Sequence, residues 1–136
     1  MLNLKILNKM EIQRTKNFKI DGKTFTVNFP TVGQIIDIEG LKQAMTNNKY
    51  GAMASSGIVS MYYALDFVDS ASFLQVCCPA VARHFDITNY MDLTPEKMEM
   101  FVNVYKEEIL PWYKDTLDQL RKVGKDEQST EDNKSN

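Results

Sequence analysis

Reactive side chains are scarce in this chain. Among 136 residues there is one histidine, His84, and only two cysteines, the neighbours Cys77 and Cys78. Adjacent cysteines do not make a CxxC redox or zinc motif, and two thiols do not build a disulfide framework. They fit a reducing compartment. No GxGxxG or P-loop pattern runs through the glycines, so nucleotide binding has no support. No apolar run approaches the roughly 18 residues of a membrane span. Met1 to Ile12, interrupted by Lys5, Asn8 and Lys9, is too short and too polar in its middle for a signal-peptide core. The formal charge is only -2, so no global field points to nucleic acid or a membrane surface. There is no internal repeat. No catalytic, metal-ligating or cofactor-binding set can be assembled from this inventory, and the expectation is a non-enzymatic protein without cofactors.

What is present is ordinary for a globular domain: 43% hydrophobic and 25% charged residues, in a chain long enough to bury a core. A fold of class α+β is expected. Residues 1–123 form one domain, divided into a strand region at 1–30 and a helical body of about four helices at 31–123. Residues 124–136 form a polar, disordered tail, because KDEQSTEDNKSN holds nothing to bury. The strand signal is strongest at Asn17 to Pro30. Asp21-Gly22 suits a two-residue type I′ loop, whose central positions both need positive φ. That loop pairs Ile20 with Lys23 and Phe18 with Phe25, and puts Phe18, Ile20, Phe25, Val27 and Phe29 on one face. Pro30 ends the second strand. Met1 to Leu7 alternates Leu2, Leu4 and Ile6, and is either a third strand or a loose arm. Lys5, Lys9, Arg14, Lys16, Lys19 and Lys23 make the N-terminal region basic, most simply as a solvated strand face.

The helices follow from caps and periodicity. Thr31 and Gln34 form a capping-box pattern ahead of Val32 to Met45. A second helix is expected over Ala52 to Val68, with Ala54, Ile58, Met61, Leu65 and Val68 on its inner stripe. Asp69 and Ser70 should interrupt it and cap a third helix, Ala71 to Phe85, broken or kinked near Cys78 by Pro79. Thr94-Pro95 starts the fourth, with the cap at Thr94 and proline at the first helical position. Its stripe is Met98, Phe101, Tyr105, Ile109 and Trp112, and Pro111 should kink it before Leu117, Leu120 and Val123.

His84 lacks an orienting partner in sequence and suits a helix C-terminus, where a cation is favoured. Cys77 and Cys78 lie in apolar Val76 to Val81 and read as buried structural thiols. Glu96 and Glu99 sit where a helix N-terminus stabilises negative charge, and with Glu107 and Glu108 they are too few for a metal site. The segment Ile109-Leu110-Pro111-Trp112-Tyr113 is different. A kinked helix cannot aim all of these at one core, so they either fill it or face a partner. Aromatic residues of this kind dominate binding hot spots. Ile109, Leu110, Trp112 and Tyr113 are therefore the expected partner-binding residues.

Phe18 to Met53, with the hairpin KIDGKTFTVNFP ahead of a helical body, resembles the front of small bacteriophage morphogenesis proteins. The block TVGQIIDIEGLKQAMTNNKYGAM and the later EILPWY resemble small proteins encoded among the structural genes of crAss-like gut phages. Together these cover most of Asn17 to Leu120. Tail assembly chaperones share the general plan of a compact helical body followed by a polar tail. The resemblance implies an assembly protein that binds phage structural proteins or itself in the host cytoplasm. An accessory structural protein retained in the capsid or tail, or a cellular helical adaptor, is the alternative. It transfers no functional residue.

Overall fold

The computed structural model describes residues 12–134, with side chains described as far as Lys125. The third strand or arm expected at Met1 to Leu7 lies outside the described residues. The fold is α+β. Strands β1 (Thr15–Ile20) and β2 (Lys23–Asn28) pair antiparallel with Phe18 opposite Phe25 and Ile20 opposite Lys23, as the loop chemistry requires. Asp21 and Gly22 both carry positive φ, 50° and 79°. The Phe18 and Phe25 rings stack on the same face, 5.8 Å apart. Phe18, Ile20, Phe25 and Val27 are all buried, each stabilising the fold by roughly 1.5–3 kcal/mol. Lys19 stands exposed on the outer face, whereas Lys16 and Lys23, opposite Val27 and Ile20, share the face of the core residues, Lys16 half-buried and Lys23 exposed at the turn. The hairpin extends one rung beyond the strands, where the Phe29 N–H donates to the Arg14 carbonyl at 2.7 Å.

Helix α1 (Val32–Met45) opens with the full capping box: the Thr31 hydroxyl accepts from the Gln34 N–H, and the Gln34 side chain accepts from the Thr31 N–H. The expected second and third helices are divided differently. A short helix α2 (Tyr50–Ala54) ends at Ser55, and Gly57 turns the chain at φ 72°. Helix α3 then runs unbroken from Val59 to Cys77, straight through Asp69 and Ser70. The serines do not cap anything. The Ser70 hydroxyl donates back to the Asp66 and Phe67 carbonyls, and Ser72 donates to the Asp69 carbonyl. Their polar demand is met inside the helix, so burying both costs little. The break falls at Cys78, and Pro79 occupies the first turn of α4 (Pro79–His84).

A single 3₁₀ turn, Tyr90–Asp92, lies in the next connection. Helix α5 (Pro95–Val104) begins at the Thr94 cap, whose hydroxyl accepts from the Lys97 N–H. It passes through a π-helical turn, Tyr105–Ile109, into α6 (Leu110–Lys134). The sequence placed a kink at Pro111; the wide turn lies just before it, and an i→i+5 turn shifts the phase of every later side chain. The backbone helix of α6 passes through Gly124 and continues to Lys134, so it does not end where the polar tail begins.

One core joins these elements. Helices α1 and α3 pack together, α3 packs on α5, and the hairpin lies against α5 and the π turn. Phe73, Leu74, Val81, Tyr90, Met98, Phe101, Tyr105 and Ile109 fill the space between them. Polar ties reinforce the pairs. The Tyr50 hydroxyl donates to Asp69 at 2.6 Å, Lys42 lies 3.7 Å from the same carboxylate, and Lys106 pairs with Asp66 at 3.0 Å.

Candidate partner-binding surface

The four residues expected to bind a partner form an internal junction. Ile109 is 0% exposed and belongs to the core, which corrects its assignment to a surface. Leu110, Trp112 and Tyr113 are half-buried and pack against that core. The hairpin's end occupies them. Phe29 stacks on Tyr113 with centroids 5.3 Å apart and meets Trp112 edge-on at 6.0 Å. The Trp112 indole N–H donates to the Gln13 carbonyl at 2.7 Å, and the Thr116 hydroxyl donates to the same oxygen at 3.3 Å. Tyr113 also meets Phe73 edge-on. The polar handle that suits tryptophan to an interface holds the chain leading into β1 instead.

Exposed apolar surface lies elsewhere. Eight large hydrophobic side chains stand exposed among the described residues, and seven of them are on the α1–α3 pair. Five form one cluster at the start of α3: Ile58, Val59, Met61, Tyr62 and Tyr63. Val59 is 82% exposed, the most of any. Tyr63 is partly engaged, edge-on to Phe67 and donating to Glu99 at 3.3 Å. Val32 and Ile36, on α1, are the other two. Ile36 borders an open groove of about 670 Å³ between α1 and the end of α3, lined also by Gln34, Asp37, Gly40, Leu41, Gln75 and Val76.

The sequence pattern contained a signal for the α3 cluster. Five of the six residues from Ile58 to Tyr63 are apolar, and no helix turns five consecutive-range positions toward one core. Placing Ile58 and Met61 on an inner stripe missed this. Leu65 and Val68 of the same stripe are buried, but Ala54 lies in a different helix.

The remaining candidates have local roles. His84 is exposed and packs edge-on against Phe25 and Phe85. Cys78 is buried. Burial, and then the neighbouring Cys78, push the Cys77 thiol up to about 11, far from a reactive thiolate at neutral pH. Glu96 is exposed at the start of α5, and Glu99 receives the Tyr63 hydroxyl. No group of three or more His, Cys, Asp or Glu side chains able to hold a metal occurs among the described residues. No helix among them is long and apolar enough to cross a membrane. Comparison of the chain with protein-family models, with curated proteins and with solved structures finds no match.

Proposed function

We propose that this protein acts by protein–protein binding in the assembly of a tailed bacteriophage particle, in the manner of a tail assembly chaperone. It works in the host cytoplasm, without catalysis or a cofactor. One observation carries the binding role: five large apolar side chains stand exposed at the start of α3, from Ile58 to Tyr63, whereas Leu65, Val68 and Ser70 to Leu74 of the same helix are buried. Exposed apolar surface concentrated in this way marks a contact site. Covering Ile58, Val59 and Tyr62 supplies roughly 1.5–3 kcal/mol for each side chain fully buried. The hairpin and helical-body plan of Phe18 to Met53, with the EILPWY segment, supports the phage setting.

The test has two parts. The gene should lie among portal, capsid or tail genes. The tagged protein should co-purify with an identified phage structural protein during infection, and Val59→Asp should lose that capture while keeping the wild-type melting temperature. A cellular gene neighbourhood, or capture unchanged by Val59→Asp, overturns the reading.

A further inference from the structure

The exposed start of α3 has an acidic neighbour. None of the residues from Tyr50 to Leu65 carries a charged side chain, in a chain that is 25% charged, so the surface around Val59 is neutral as well as apolar. Its border on the α5 side is not. Helix α3 runs parallel to α5 and the π turn that continues it: Tyr63 donates to Glu99, and Asp66, further along, pairs with Lys106. Glu96 precedes Glu99 by about one helical turn, so it lies on the Val59 side of that contact. Partial burial, then the charges of Glu99 and Glu96, raise the Tyr63 hydroxyl from its usual value, as expected where both carboxylates face the ring. The two lysines of α5 and the π turn do not neutralise these carboxylates. Lys106 is held 3.0 Å from Asp66, and Lys97 stands roughly 200° round α5 from Glu99.

We propose that this surface takes a positively charged amphipathic segment of its protein partner, whose apolar side chains cover Val59 and Tyr62 and whose lysine or arginine side chains reach Glu96 and Glu99. The inference rests on the binding role proposed above and gives the chemistry of the partner. Charge decides between the macromolecules that an apolar patch can meet. Two carboxylates beside it repel nucleic acid and anionic lipid and draw a cationic chain. They also favour one register, since the partner's basic side chains must lie along one flank of its apolar stripe. The apolar contact supplies most of the affinity. The carboxylates, Glu96 exposed and Glu99 half-buried, add a smaller share that salt weakens.

Labelled synthetic peptides titrated with the full chain test this. One presents leucine on one helical face and lysine on the other; its counterpart carries glutamate in place of lysine. Fluorescence anisotropy should show the lysine peptide binding and the glutamate peptide not. Raising salt from about 0.1 M to about 1 M should weaken binding severalfold, because the screening length falls to roughly 3 Å. Glu96→Gln combined with Glu99→Gln should weaken it roughly three- to tenfold and flatten the salt dependence. Val59→Ser, which removes apolar area without adding charge, should weaken it roughly tenfold and leave the salt dependence as it was. If the double variant melts well below wild type, Glu96→Gln alone, at an exposed side chain, takes its place with a smaller effect in the same direction. Equal binding of the two peptides, affinity that none of these substitutions changes, or binding to vesicles of anionic lipid instead overturns the proposal. A phage structural protein whose capture falls with Val59→Asp but not with salt or the glutamine variants defeats the cationic partner and leaves the binding role standing. Capture that survives Val59→Asp removes both.

Discussion

Residues 58–63 and 109–113 present the same puzzle in sequence and opposite answers in structure. Each is a short helical stretch with too many large apolar side chains for one face. At 109–113 the surplus meets a second element. The π turn brings Trp112 and Tyr113 round to the end of the hairpin, where Phe29 and the Gln13 carbonyl receive them. At 58–63 Tyr63 reaches Glu99 of α5, and Ile58, Val59, Met61 and Tyr62 stay exposed beside it. Apolar crowding on a helix therefore announces a contact without saying whether it is made within the chain or with another.

The largest expected effect tests the buried side of that contrast. Ile109→Ala should lower unfolding free energy in urea by about 2–5 kcal/mol, the range for removing a fully packed aliphatic side chain. Trp112→Ala comes next, at roughly 2–3 kcal/mol, from lost packing on Phe29 and a carbonyl left without its donor. The same scans would break the comparison if either variant melted like wild type.

Alkaline pH sharpens it further. Burial raises the thiol of Cys77 from 9.0 to about 11, and burial also raises the Tyr105 and Tyr113 hydroxyls. These groups are neutral when protonated, so the unfolded chain releases their protons first. Their contribution to stability is whole below about pH 9 and falls as pH climbs through 9 to 11 and beyond. The melting temperature should therefore decline steadily above pH 9, more steeply in wild type than in Cys77→Ala. A flat profile to pH 11 would mean these groups are more accessible to water than the packing indicates. The smallest effect belongs to the exposed side: Val59→Asp should change stability by no more than about 0.5 kcal/mol.

Much of the fold was legible because its signals are local. Asp21-Gly22 dictates the hairpin register, Thr31 and Gln34 cap α1, Thr94-Pro95 opens α5, and Pro79 breaks the chain beside Cys78. The boundaries of α3 were not, because Asp69 and Ser70 look like a cap. Only the packed helix shows the serine hydroxyl bonded to carbonyls of the preceding turn and the aspartate held by Tyr50. The binding surface was legible as a kind of segment and not as a place. Nothing in Ile109 to Tyr113 indicates that Phe29, 80 or more positions earlier, will lie against it, and nothing in Ile58 to Tyr63 shows that these side chains stay exposed.

The most direct measurement compares Val59→Asp with Trp112→Ala, scoring thermal stability and association in the same samples. The account predicts that Val59→Asp melts like wild type and loses association, whereas Trp112→Ala melts lower and its folded fraction associates normally. The reverse pattern, with binding lost at Trp112 and retained at Val59, would contradict it.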